Sequence, residues 1–303
     1  MDAVFAYIDL LGFSEYTRND LPGAARLLDT HRETLANRLE DARTYATTRI
    51  VPAGIALDNL VTSFDHFLPF SDSIFIASKA PDLFVRQLAT FLIQEFRFTG
   101  HAYAFPDDLL RPEEVKIHVA GTGLKEIENW FPGLWRGGLA YGQIESVPTN
   151  GISDGKPISL PLLVGPPILT AVRLEKSSGQ GPRLFCEAGF KDRLTDVEIR
   201  RYFVPVPGKA CDEFLWPIFL FGEGGRPKSE IGSVHDLLVP AVNLWRSKRL
   251  APSEPHYFQF IRLVVRSALK WAEIQGIADG AASYMRGRLS ELIGQDLLDT
   301  LLS

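Results

Sequence analysis

The chain has 303 residues, 46% hydrophobic and 11% aromatic, with a formal net charge of −5, so it can bury a sizeable core in one large domain or two smaller ones. Its charges are interspersed, which leaves no basic field for nucleic acid or an anionic membrane, and no uncharged stretch approaches the roughly 20 residues of a membrane span. Cys186 and Cys211 are too few and too far apart for a zinc cluster or a disulfide framework, and with no N-terminal signal pattern they point to a reducing cytoplasm.

The organising stretch comes first. Val4 to Ile8 reads as a fully buried strand that ends at Asp9. A carboxylate at the exit of a buried strand has to be hydrogen-bonded, paired or bound to a cation, because desolvating it alone costs several kcal/mol. Gly12 allows a tight turn and a helix start just after it, which sets free backbone N–H groups beside the acid. Asp20-Leu21-Pro22 is a second helix start, and apolar residues at helical spacing carry that helix to about Tyr45. Thr47 to Ile55 and Leu60 to Phe64 favour strand or irregular structure.

Phe67 to Ala77 reads as a β-hairpin with Ser71-Asp72 at its corner, so Asp72 stands at a strand end. Pro81 to Phe98 returns to helical period, residues 99–114 connect, and Val115 to Val119 is a short alternating strand. Leu134 to Ile144 reads as a strand whose glycines permit close backbone contact, with Arg136 pairing near it and a turn near Pro148-Thr149-Asn150-Gly151. Gly165-Pro166-Pro167 precedes a helix over Ile168 to Lys176, and a strand follows at Arg183 to Cys186. Strand and helix alternate without the regular spacing of a doubly wound parallel sheet, so the expected class is α/β, an α+β sandwich with hairpins. Beyond a glycine- and charge-rich segment at Gly222 to Ser229, periodicity predicts a helical extension at Val234 to Arg249, Pro255 to Gly276 and Ala278 to Leu302.

Four fragments, in this order, resemble the core of a class III nucleotidyl cyclase: AYIDLLGFSE, FSDSIFIAS, WRGGLAYGQIE and VGPPILTAVRLEKSSGQGPRLFC. The resemblance implies a catalytic domain over 1–220 with an insertion at about 98–130, and a helical extension over 230–303. It implies Asp9 and Asp72 as the ligands of two Mn²⁺ or Mg²⁺ ions, completed by the backbone carbonyl of Leu10, with the N–H groups of Leu11, Gly12 and Phe13 on the β- and γ-phosphates. Arg173 would supply positive charge to the transition state from the second subunit of a two-fold homodimer.

The sequence departs from that family at the base pocket. Leu68 stands where purine enzymes carry a base-reading lysine or its counterpart, Leu160 where a second base-reading residue is expected, and Leu169 in place of an asparagine before Arg173. A site that reads purines needs polar groups at those places. The combination resembles the pyrimidine cyclases of the bacterial anti-phage Pycsar systems, which implies UTP or CTP as substrate, cyclic UMP or cyclic CMP as product, and a cyclic-nucleotide-activated effector as functional partner. Arg49 and Tyr45 are candidates for reading the base. The alternatives are a conventional adenylate or guanylate cyclase and a catalytically silent, nucleotide-binding signalling module. Taken singly, Asp9 and Asp72 also suit a cap or turn, and Arg173 a solvated helix surface.

Overall fold

The protein is described here by a computed structural model, which covers residues 1–25, 28, 63–100, 114–118, 125–129, 132–153, 155–177, 179–221, 234–248, 251–275 and 280–303. The expected helix toward Tyr45, the base-reading candidates Tyr45 and Arg49, and the segment Gly222 to Ser229 lie outside these residues, apart from the beginning of the helix. There, residues 21–25 are helical and the Asp20 carboxylate accepts the Gly23 N–H at 2.9 Å, the capping bond that its position predicts.

Buried strand β1 (Asp2–Leu10) leads through a turn into the short helix α1 (Phe13–Asn19). The hairpin β2 (His66–Phe70) and β3 (Ser73–Ser78) forms as its sequence predicts, with Phe70 opposite Ser73 and Ser71-Asp72 as the turn. Helix α2 (Pro81–Thr99) follows, then the pair β4 (Glu114–His118) and β5 (Lys125–Asn129), of which only β4 was legible as a strand. Strand β6 (Trp135–Gln143) runs antiparallel to β1.

Pro148 to Gly151 is not a turn but part of β7 (Glu145–Ser153), which pairs along its whole length with β8 (Lys156–Val164). The prolines are tolerated because among the described residues this two-stranded sheet has only edges, where a missing N–H breaks no second ladder. Helix α3 (Pro166–Ser177) and strand β9 (Leu184–Glu187) follow. Short α4 (Val197–Arg200), β10 (Phe203–Pro205) and β11 (Cys211–Phe214) complete the sheet. The C-terminal extension holds α5 (Val234–Ser247), α6 (Glu254–Ile274), α7 (Gly280–Ile293) and α8 (Gln295–Leu302), so the last expected helix is two, broken at Gly294.

The main sheet has seven strands in the order β10-β11-β9-β6-β1-β3-β2, with β6 and β9 parallel and the other neighbours antiparallel. The fold is therefore a mixed α+β sandwich with a helical C-terminal extension. Alternation along β1 assigns its two faces. Val4, Ala6, Ile8 and Leu10 enter the larger core with α2 and the C-terminal helices, where Phe260 of α6 meets Phe96 of α2 at 4.6 Å between ring centroids. Each such large side chain contributes about 1.5–3 kcal/mol on burial. Ala3 and Phe5 point the other way, into a smaller core with Ala140 of β6 and Ala171 of α3. Tyr7 and Asp9 continue on this second face. Among the described residues no helix is long and apolar enough to cross a membrane.

Candidate functional site

Three neighbouring strands converge at the end of β1. Asp9 is paired in register with Ser73 of β3 on one side and Arg136 of β6 on the other. The Ser73 hydroxyl donates to Asp9 Oδ1 at 2.9 Å. Because the single Ser73 proton is committed there, the contact of 2.9 Å between Tyr7 Oη and Ser73 Oγ has the tyrosine as donor. On the other side, Arg136 Nη2 lies 3.3 Å from Asp9 Oδ2. Tyr7 is held by packing on Phe75, with centroids 5.2 Å apart.

Asp72 reaches the same place through the hairpin. Its backbone carbonyl accepts the Leu10 N–H at 2.8 Å, which fastens the β2–β3 turn to the last residue of β1. Burial pushes the Asp9 carboxyl above its ordinary pKa, and the Asp72 charge pushes it further, against the opposing Ser73 bond and Arg136 charge. Two neighbouring carboxylates, one at a strand end and one in the adjoining turn, fit a divalent cation. Among the described residues no group of three or more His, Cys, Asp or Glu side chains is placed to hold a metal ion together, and Mg²⁺-type sites take one or two carboxylates and complete their shell with water and substrate phosphates.

Beyond Leu10 the chain turns at Gly12, whose φ of 82° lies in the left-handed region that glycine adopts without strain. Here the structure corrects an expectation. The Leu11 N–H already donates to the Leu134 carbonyl at 2.8 Å and is not free for a phosphate. The N–H groups of Gly12 and Phe13 have no partner among the described residues.

Helix α3 covers this face of the sheet, antiparallel to β6. Pro167 at its start lies over Gly142, Ala171 over Gly138, and Glu175 near its end reaches Arg136. A Cβ on Gly138 would stand 2.1 Å from the Ala171 carbonyl oxygen, so this glycine is what lets the helix settle on the strand, as the close contact read from the sequence requires. Glu175 is 4% exposed, and its Oε1 lies 2.7 Å from Arg136 Nε, an ion pair without the alignment of a hydrogen bond. Burial raises the Glu175 pKa and Arg136 opposes that rise.

Arg173 is not brought to the acids within one chain. It is exposed and makes no interaction with the described residues, two positions from Glu175 and so on the other side of the helix. Leu169 is 62% exposed. Leu68 is half-buried on the edge strand β2, and Leu160 falls on β8 opposite Thr149. The C-terminal extension touches the rim of this region: the Gly181 N–H, in the turn after α3, donates to His256 Nδ1 of α6 at 3.1 Å. Burial first, and then the Arg136 charge, keep His256 below its ordinary pKa.

Tyr7, Ser73 and Glu175 were missed as site residues in the sequence. The first two were legible in principle, since Tyr7 shares the face of Asp9 two residues earlier and Ser73 follows Asp72 directly. Glu175 shows only as an acid on the apolar stripe of a helix.

No family model and no curated protein matches the chain. Among solved structures, the crystal structure of the guanylyl cyclase Cya2 is similar over 75% of this chain and 96% of that one, at 16% identity and a TM-score of 0.40.

Proposed function

We propose that the chain is a nucleotide cyclase that holds two divalent ions, Mn²⁺ or Mg²⁺, on Asp9, Asp72 and the Leu10 carbonyl. The observation that carries this reading is the placing of Asp9 at the end of β1 and Asp72 in the adjoining β2–β3 turn, close enough for the Asp72 charge to act on Asp9, beside a glycine turn whose Gly12 and Phe13 N–H groups have no partner among the described residues. When bound, the ions supply an acidified 3′-hydroxyl and neutralisation of the departing pyrophosphate. The protein's part is to hold the carboxylates with Ser73 and Arg136, to offer the Gly12 and Phe13 N–H groups to the β- and γ-phosphates, and to bring a guanidinium to the transferring phosphate.

That guanidinium is Arg173 of a second copy. The β7–β8 hairpin stands outside the main sheet and leaves Val147, Leu162 and Val164 exposed, while Leu169 is exposed on the same helix as Arg173. An isolated two-stranded hairpin is marginal in water, so a partner covering it both buries apolar surface and presents Arg173 to the facing site. The substrate is a pyrimidine nucleoside triphosphate, UTP ahead of CTP, and the product its 3′,5′-cyclic monophosphate, a second messenger of anti-phage signalling. What supports this is the apolar Leu68 and Leu160 at positions where the family resemblance requires polar groups to read a purine.

The test is incubation of the purified protein with Mn²⁺ and each of ATP, GTP, CTP and UTP, with products identified by mass spectrometry. Cyclic UMP or cyclic CMP supports the full reading. A cyclic purine keeps the chemistry and overturns the substrate, and binding without turnover makes the chain a silent nucleotide-binding module.

A further inference from the structure

Glu175 occupies a position that packing would give to an apolar residue. It lies on the stripe of α3 that includes Pro167 and Ala171 and faces the sheet, and it is 4% exposed. It also sits in the last turn of the helix, where the dipole opposes a negative charge. Arg136 holds it there from 2.7 Å. Replacing a buried ion pair by well-packed apolar side chains is often neutral or stabilising, so the fold itself does not call for this acid. The same guanidinium lies 3.3 Å from Asp9. One arginine is thus shared by two carboxylates, of which only Asp9 belongs to the expected metal pair.

We infer that Glu175 is a positioning residue that sets the affinity of Asp9 for a divalent cation by acting through Arg136. This rests on the reading of Asp9 and Asp72 as a cation site. Arg136 supplies positive charge beside Asp9, in a contact that it would give up to an ion bound there. Glu175 keeps the guanidinium compensated as it does so, and no buried charge is left alone. An arginine with Asp9 as its sole partner would compete harder against the ion. Among the described residues the carboxylates of Asp9, Asp72 and Glu175 stand around the pair against the Arg136 guanidinium, with Lys176 exposed on α3 and His256, held below its ordinary pKa, at the rim. The excess is negative, as a divalent ion requires.

The experiment measures Mn²⁺ binding to the full chain without nucleotide, by calorimetry and by the paramagnetic resonance signal of free Mn²⁺, for the wild type, Glu175→Gln, Arg136→Gln and the double variant. Partly exposed ion pairs shift such equilibria by about threefold; E175Q is expected to weaken binding by about that factor and R136Q to tighten it. In the R136Q background, the E175Q change should vanish. A merely structural Glu175 would leave the affinity unchanged in the folded variant, and an independent through-space charge would act equally in both backgrounds; either result overturns the inference. If E175Q does not fold, Glu175→Met, which packs on the same stripe, carries the same expectation. Absence of Mn²⁺ binding by the wild type, or undiminished binding by Asp72→Asn, overturns the cation site itself and is distinguishable from failure of the Glu175 relay alone.

Discussion

Gly138 of β6 and Ala171 of α3 meet so closely that a Cβ on the glycine would lie 2.1 Å from the alanine's carbonyl oxygen and 2.8 Å from Leu174 Cβ. The obstacle is helix backbone, which cannot rotate away as a flexible side chain can. Gly138→Ala therefore has to lift α3 from the strand, at about 1–3 kcal/mol, the ordinary cost of overpacking. Because the same helix carries Glu175 and Arg173, turnover in the proposed cyclase reaction should fall by more than the loss of folded protein accounts for. Thermal unfolding and turnover measured on the same samples check this, and an unchanged specific activity would mean that α3 does not set the site.

Much of this arrangement is legible in the sequence, for reasons that differ by element. β1, the β2–β3 hairpin and α3 carry local signals: a buried run closed by an acid, a corner between two β-prone runs, and prolines at a helix start. β10 and β11 are short, with three and four residues, and their strand character comes from the pairing of β11 with β9 and of β10 with β11, so no local period betrays them. The misread at Pro148 has the same origin: proline and glycine favour a turn locally, whereas the exposed pairing with β8 decides the outcome. In the site, Asp9 and Asp72 show because acids at strand ends are conspicuous. Arg136 looks structural because its two carboxylate partners come from different elements, and only the folded chain puts them together.

Glu213 offers a test of how the C-terminal extension is fastened. It is almost fully buried on β11 and accepts from Arg183 at 2.5 and 2.9 Å and from Arg266 of α6 at 2.7 Å. Burial pushes its pKa up, but the arginines prevail and hold it below the ordinary value. A depressed carboxylate contributes stability that is present above its unfolded pKa, about 4.3, and is lost as pH falls through the folded value. Glu213→Gln should therefore cost about 3 kcal/mol at neutral pH. The difference from wild type should shrink on acidification below about pH 4. Denaturant titrations at several pH values decide it; a difference that does not change with pH would mean that packing, not charge, accounts for the loss.

Asp9 has the opposite sign. Burial and Asp72 raise its pKa, so the folded chain holds this proton more tightly than the unfolded one and stability declines as pH rises from the ordinary carboxylate value through the raised one. Asp9→Asn is expected to stabilise the ion-free protein at neutral pH by about 1 kcal/mol, a gain of the kind bought at the expense of function. Below the unfolded carboxylate pKa that gain disappears. Turnover in D9N and in Asp72→Asn should fall by at least about a hundredfold, since a lost metal contact removes several kcal/mol of transition-state stabilisation. Calorimetric melting and product formation test the two halves separately, and a D9N variant that is less stable at pH 7 would mean that the Ser73 and Arg136 contacts outweigh the burial of the charge.

Arg173 separates a site completed by a second copy from one complete in a single chain. Its side chain is exposed and without a partner among the described residues, so Arg173→Ala should leave the melting temperature within about 1 °C of wild type, as surface substitutions do. Turnover should nonetheless fall by a hundredfold or more, about 2.7 kcal/mol of lost charge stabilisation. If Asp9 and Arg173 act across an interface, each single variant keeps one half of a site. A mixture of D9N and R173A chains then contains heterodimers in which one of the two sites has both residues intact, and equal mixing should restore about a quarter of wild-type turnover under statistical exchange. Leu162→Asp, on the exposed face of β8 opposite Val147, should abolish both dimerisation and this recovery. Sedimentation of L162D beside the mixing assay gives the result: no recovery from chains that do form dimers would mean that Arg173 does not act on the partner's Asp9, and activity in a sedimenting monomer would mean that one chain completes the site by itself.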